Sequence, residues 1–177
     1  MNKRKSTSTK LQPFGLNGRS VIAVIETPKG SRNKYKFEPK LNSFVLSKVL
    51  PEGMFFPYDF GFVPGTMAED GDPIDVLLLM DEPAFCGCVV ECRLVGVIEG
   101  EQKEEGKTKR NDRLLAVATQ NNQYSDLQDI GDVNQQLLKE IGQFFVNYHR
   151  LNGTQFRVLA SEGSKKAKRL LEKAIKK

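Results

Sequence analysis

The apolar residues between Val21 and Thr119 come in short runs that alternate or end at turn residues, and this pattern constrains the fold more than any other feature of the chain. VIAVIE at 21–26, KYKF at 34–37, SFVLSKVL at 43–50 and IDVLLLM at 74–80 have the length and composition of strands. Pro28-Lys29-Gly30, Pro51-Glu52-Gly53 and Val63-Pro64-Gly65 punctuate them as turns. Cys86, Cys88, Val90, Cys92 and Leu94 share one parity, which predicts a half-buried strand running on to Ile98. The charged stretch from Glu99 to Asp112 reads as a long loop or hairpin tip, and RLLAVAT at 113–119 as a further strand.

Helical periodicity appears only late. Asp132 as an N-cap, with Gln135 three residues on, has the spacing of a capping box. Leu137, Leu138, Ile141, Phe144, Phe145, Tyr148 and Leu151 then form one wide apolar face that ends at Asn152-Gly153. A strand near Gln155 to Ala160 leads into a second helix whose stripe is Ala167, Leu170, Leu171, Ala174 and Ile175. Strands early and helices late predict an α+β fold: a small twisted β-barrel, closed or partly closed, with two helices of the C-terminal half packed outside it.

At 177 residues the chain suits one domain that needs neither disulfide nor structural metal to fold, since a domain of this size buries roughly 70% of its unfolded surface. No run approaches the ~20 apolar residues of a membrane span. MNKRKSTSTK has no apolar segment behind it, so no secretory signal is expected and the cytoplasm is the expected compartment. The formal charge of +5 is unevenly placed. Residues 1–10 and 165–177 together carry +10, while residues 11–164 carry −5. The body is therefore mildly acidic, which argues against a specific nucleic-acid groove. The expected organisation is a basic N-terminal tail at 1–15 and a single domain at 16–177.

Asp70-Gly71-Asp72-Pro73-Ile74-Asp75 places three carboxylates within six residues, directly before the apolar strand VLLLM. Carboxylates this close raise one another's pKa unless a cation offsets them, so a hard-metal site for Mg²⁺ or Mn²⁺ is the functional reading. A solvated acidic turn is the bland one. The spacing does not suit an EF-hand, which needs Gly where Asp75 stands.

Around this segment stand VIAVIETP, MFFPYDFGFVPGT, CRLVGVIE, RLLAVA, DIGDVN and FFVNYHRL, in that order. Together with DGDPIDVL, a full match to Asp-x-Asp-Pro-x-Asp, they resemble the soluble, magnesium-dependent inorganic pyrophosphatases of family I, from about Leu16 to the last helix. The resemblance implies an OB-like barrel whose mouth brings divalent cations and pyrophosphate together. It implies Asp70 and Asp75 as metal ligands, with Asp72, also at the metals, as the catalytic proton acceptor. It further implies Glu26 near an outer metal or its water shell, Lys34 and Tyr148 on phosphate oxygens, and pyrophosphate hydrolysis to two phosphates by a metal-activated water. Mg²⁺, with Mn²⁺ as an alternative, would be the cofactor, and a homo-oligomer, a hexamer by family resemblance, the assembly.

Several positions depart from the family pattern. Lys36 stands where an acid is usual, and Lys48 where an Arg binds phosphate, keeping the charge without the fork. Phe56 and Phe60 replace two tyrosines. His149 stands where Lys is frequent, and could carry charge part of the time or simply sit on a helix surface. Asn111-Asp112-Arg113 replaces an Asp-x-Lys pattern, so either a neutral Asn111 takes the metal position or a bulge brings Asp112 in, with Arg113 as the phosphate-binding cation. Glu99, Glu101, Glu104 and Glu105 compete for the hairpin acid; Glu101 is favoured as a metal ligand, against solvated loop charges. These departures also raise an alternative function, a diverged, weakly active or inactive homologue acting as a phosphate- or metal-binding or regulatory protein. Cys86, Cys88 and Cys92 lack a fourth ligand and a zinc spacing, and read as buried thiols.

Overall fold

The structure is a computed structural model and describes residues 11–15 and 17–175. Most of the basic N-terminal tail and the last two lysines lie outside the described residues.

Among the described residues there are nine strands: β1 (Val21–Thr27), β2 (Asn33–Glu38), β3 (Ser43–Val49), β4 (Asp59–Phe62), β5 (Asp75–Leu79), β6 (Val89–Glu104), β7 (Lys107–Arg110), β8 (Arg113–Ala118) and β9 (Gln155–Gly163). Helix α1 (Gln135–Leu151) lies between β8 and β9, and α2 (Ser164–Ala174) follows β9. Among the described residues no helix is long and apolar enough to cross a membrane.

The α+β class and the two late helices match expectation, but the barrel does not. Seven strands form one mixed sheet in the order β1-β4-β5-β8-β6-β7, with β9 branching from β6, while β2 and β3 form a separate two-stranded sheet. β1 also pairs with the start of β6, Val21 opposite Cys92 through Val24 opposite Val89, which curls part of the sheet back on itself. As a whole the sheet is not a closed barrel, because β7 and β9 each pair only with β6 and leave free edges. The cause lies in β6. It is 16 residues long, and its register shifts at Leu94/Gly96 against β8 and at Glu99/Gly100 against β9, so one strand serves different neighbours along its length.

Of the two readings of the stretch from Glu99 to Asp112, the hairpin holds and the long loop does not. β6 continues to Glu104 and turns through Glu105 (φ 48°) and Gly106 (φ 78°) into β7. Two residues at positive φ make the hairpin turn whose twist matches its strands. At its other end β6 starts three residues later than predicted, since Gly87 sits at φ 91° in a turn and leaves Cys86 outside the strand.

β5 and β8 pair in parallel, Asp75 opposite Arg113 through Leu79 opposite Val117. Both faces of this pair are covered. Val76, Leu78, Leu114 and Ala116 pack toward Ala167 and Leu171 of α2, and Leu77, Leu79, Leu115 and Val117 toward Leu138, Ile141 and Phe145 of α1. That explains the unbroken apolar runs VLLL and LLAVA, since a parallel pair buried on both faces has no polar side to alternate with. Each such Leu, Ile or Phe contributes about 1.5–3 kcal/mol of burial.

α1 keeps its predicted apolar face as far as Tyr148, with Leu151 exposed, and its predicted end, with Asn152 as C-cap and Gly153 at φ 75°. Its start differs. The side chain of Asn134 caps it, accepting from the N–H of Gln136 at 2.8 Å. Asp132 instead closes a short 3-10 turn, Ile130–Asp132, whose capping box joins Asp129 and Asp132. Asp129 also accepts from the hydroxyl of Ser164 at 2.6 Å, tying this turn to the start of α2.

Candidate active site

A polar cleft of about 800 Å³ lies between the two-stranded sheet, the acidic turn before β5, the β6–β7 hairpin and the C-terminal end of α1. Its acidic wall combines Glu26, Asp70, Asp72 and Asp75. Strand β1 carries Glu26 inward near its end, where the buried carboxylate accepts from the N–H of Phe37 at 2.7 Å. Desolvation pushes its pKa up to about 7; that N–H opposes the shift, while the charge of Asp75 adds to it. Asp70 and Asp72 flank Gly71, which at φ 95° forms a tight turn, and the N–H of Asp72 donates to Asp70 Oδ1 at 3.2 Å.

Asp75 opens β5 directly opposite Arg113. Removal from water pushes its pKa up to about 6, offset by Arg113 and Lys34 and reinforced by Asp70 and Asp72. The guanidinium is close but not bonded to it, Nη2 lying 4.0 Å from Oδ2. Among the described residues no three acidic, histidine or cysteine side chains stand close enough to enclose an ion. The donor set nonetheless fits a hard divalent cation: all its members are carboxylates, and two are crowded and desolvated so that added positive charge would favour their ionised forms.

The basic wall comes from β2 and β3. Lys34 and Lys48 pair across these strands. Their ammonium groups lie 5.2 Å and 5.6 Å from the Tyr148 ring centroid, with Lys34 also 5.5 Å from the ring of Phe60. Two like charges opposite each other are unfavourable until an anion joins them, which is the electrostatic form of a phosphate site. Lys48 meanwhile donates to Asn152 Oδ1 at 3.1 Å. Lys36, on the same face of β2 as Lys34, reaches across to Asp72 at 3.2 Å.

Eight of the ten predicted site residues therefore border one cleft: Glu26, Lys34, Lys48, Asp70, Asp72, Asp75, Arg113 and Tyr148. Glu101 and Asp112 are not brought to it. Glu101 Oε2 accepts from Arg157 Nη2 at 2.9 Å, and Asp112 Oδ1 accepts from the N–H of Gly100 at 3.0 Å and pairs with Arg110 at 2.8 Å. The reason is strand alternation. The β6–β7 hairpin runs without a register shift, so no bulge turns Asp112 inward, and the cleft receives Gln102, Glu104, Lys107, Lys109 and Asn111 instead. Asn111 Nδ2 donates to Gln102 Oε1 at 2.7 Å. Counting back by twos from Asn111 would have found Lys109 and Lys107; Gln102 and Glu104 become visible only once the cross-strand register is known.

Other departures also resolve. Phe56 and Phe60 are 1% and 4% exposed and sit in a ring cluster with Phe144, Phe145 and Tyr148, so they complete the core beneath the cleft as well as lining it. His149 is no surface cation. It is 6% exposed, and burial with Arg113, Lys34 and Lys48 nearby pushes its pKa down to about 3. Of the cysteines, Cys92 is buried and its thiol pushed up to about 12 by desolvation, while Cys86 and Cys88 are half-buried.

A model of the family described as inorganic pyrophosphatase matches residues 23–177. The chain belongs to the inorganic pyrophosphatase family. An inorganic pyrophosphatase of Thermus thermophilus is 38% identical over 164 residues, 92% of this chain and 91% of its own, and one of Nostoc is 37% identical over 153 residues, 86% of this chain and 88% of its own. Among solved structures, inorganic pyrophosphatase from Thermus thermophilus superposes with a TM-score of 0.86 at 36% identity, covering 94% of this chain and 95% of that one. The Helicobacter pylori pyrophosphatase gives 0.85 at 32%, covering 94% and 97%. Pyrophosphate hydrolysis is the function this family carries, and divalent-metal dependence comes with it.

Proposed function

We propose that the cleft binds pyrophosphate as a Mg²⁺ complex, with Mn²⁺ as an alternative, and hydrolyses it to two phosphates. One observation carries this reading: four carboxylates face a cross-strand pair of lysines over a single cleft, an arrangement that suits metal ions on one side and a multiply charged anion on the other. A bound divalent ion would supply a water of lowered pKa and neutralise phosphate charge.

The chain's own side chains do the rest. Asp70, Asp75 and Glu26 hold the acidic side, and Asp72 takes the proton of the attacking water. Lys34, Lys48 and Tyr148 fix the phosphate oxygens so that the leaving phosphate lies in line with attack, and Arg113 adds charge from the floor. Glu104, which shares the cleft, takes the hairpin position expected of Glu101. A cytoplasmic homo-oligomer, a hexamer by family resemblance, belongs to the same proposal, with no membrane or specific nucleic-acid partner. Phosphate release from pyrophosphate, measured with Mg²⁺ and with chelator, tests it. Chelator-sensitive release that Asp70→Asn abolishes supports the reading; no release under either condition would give its place to the diverged binding or regulatory protein.

A further inference from the structure

Arg113 is 3% exposed, yet it lines the cleft. It packs against two aromatic rings, its Cζ 4.1 Å from the centroid of Phe145 and 4.4 Å from that of Phe156. The Phe156 ring is itself held: a Cβ at Gly100 would collide with it, so the glycine makes room for it. Nη1 donates to the carbonyl of Asn111 at 2.8 Å, and Nη2 lies 3.1 Å from Nε2 of His149. Nε is buried without a partner, and Asp75 is too far for a hydrogen bond.

These contacts fix the state of His149. A guanidinium only donates, so Nε2 must accept and the proton sits on Nδ1. Nδ1–H then donates to Thr154 Oγ1 at 3.0 Å, and the Thr154 hydroxyl donates to the carbonyl of His149 at 3.2 Å. The imidazole also stacks on Phe156, centroids 5.1 Å apart and planes 17° from parallel. Every polar atom of the ring is thereby committed within the protein, and none is left to meet a substrate.

We infer that His149 is a positioning residue for the pyrophosphatase reaction: as a neutral acceptor it fixes the orientation of Arg113, so that the remaining donors of the guanidinium are held ready for a phosphate oxygen at the floor of the cleft. A fork held in place loses less freedom when the anion arrives, and so binds it more tightly than a mobile one. This assigns a role opposite to that of a lysine at the same position, which would meet phosphate directly. The inference rests on the pyrophosphate reading of the cleft.

The test is the affinity for imidodiphosphate with Mg²⁺, measured by calorimetry on wild type and on three variants of residue 149. His149→Gln can place an oxygen acceptor near the former Nε2 and should bind within about twofold of wild type, whereas the shorter His149→Asn can reach only Thr154 and should bind about tenfold or more weakly. His149→Lys sets a second cation against Arg113 and should also bind more weakly, despite its added positive charge. In an Arg113→Lys background, His149→Asn should add no further loss, because it acts through Arg113. Tighter binding by His149→Lys, or equal affinity of the Gln and Asn variants, would overturn the inference. The Gln and Asn variants differ by one methylene, so a loss confined to Asn at equal melting temperature reports the acceptor and not the fold. Absence of binding by wild type would instead remove the pyrophosphate reading itself.

Discussion

Lys36 Nζ lies 3.2 Å from Oδ2 and 3.4 Å from Oδ1 of Asp72, so an ammonium carried by β2 straddles the carboxylate proposed to accept the proton of the attacking water. Both side chains are more than half exposed, and such a pair is worth about 0–1 kcal/mol. It therefore competes with a divalent cation for Asp72 without excluding it. Lys36→Gln should lower the Mg²⁺ concentration at half-maximal thermal stabilisation about threefold at low salt, with a smaller change at high salt. An unchanged midpoint would show that Asp72 takes no part in holding the ion.

The acidic wall predicts an unusual pH dependence without metal. Glu26 and Asp75 have pKa values raised to about 7 and about 6, so between their ordinary values and these the folded state binds more protons than the unfolded one. Stability of the metal-free protein should then fall as pH rises from about 4 to 7 and level off above, by about 3 kcal/mol for the larger shift. Asp75→Asn should remove its share of that loss and stay level or rise in melting temperature at pH 8, while stabilisation by Mg²⁺ shrinks. Melting curves from pH 4 to 9 in chelator and in Mg²⁺ decide it.

Lys34 and Tyr148 meet the same proposed phosphate but with different reach. Lys34→Ala removes a full charge and should lower kcat/KM about a hundredfold, whereas Tyr148→Phe removes one hydroxyl and should cost about tenfold. Neither should move the Mg²⁺ midpoint of thermal stabilisation much. Equal, small effects on hydrolysis would put the phosphate elsewhere in the cleft.

Asn111 faces the cleft while Asp112 faces away. Asn111→Asp should add a carboxylate to the acidic wall and lower the Mg²⁺ concentration for half-maximal hydrolysis severalfold, at some loss of metal-free stability from like-charge repulsion. Asp112→Asn should instead leave metal dependence alone and cost some stability, since Arg110 loses one of its two anionic partners and the N–H of Gly100 keeps only a neutral acceptor. Parallel Mg²⁺ titrations of rate and melting temperature separate the two.

Much of the site was legible because short-range pattern and chemistry agreed there. Asp70, Asp72 and Asp75 lie on one short segment, and a turn around Gly71 followed by a strand leaves them few places to point other than the end of the sheet. Glu26 and Lys34 stand at strand ends that the apolar runs mark, and the family resemblance pointed to them as site residues. The hairpin was legible only as one of two readings, because its charges resemble a loop; a strand pair with two exposed faces needs no apolar alternation to announce itself. Phe56 and Phe60 looked like lost hydroxyls, yet they fill a ring cluster assembled from β4, α1 and the segment before β4, which no local pattern reveals.

By itself the sequence determined what repeats at short range: the parity of the strands, the apolar faces of α1 and α2, the acidic cluster and the family whose pattern surrounds it. Parity fixes which residues share a face of a strand, but not which face a cleft will occupy. That choice, which turned Gln102, Glu104 and Asn111 inward and Glu101 and Asp112 outward, came with the pairing of β6 to β7 and β9. Only tertiary packing brought Lys36 to Asp72 and His149 to Arg113, each pair 36 residues apart in the chain. Nothing in either local segment encodes such a meeting: His149 and Arg113 bond only after distant elements have closed around them and excluded water, and Lys36 meets Asp72, still more than half exposed, only because β2 is carried to the turn before β5.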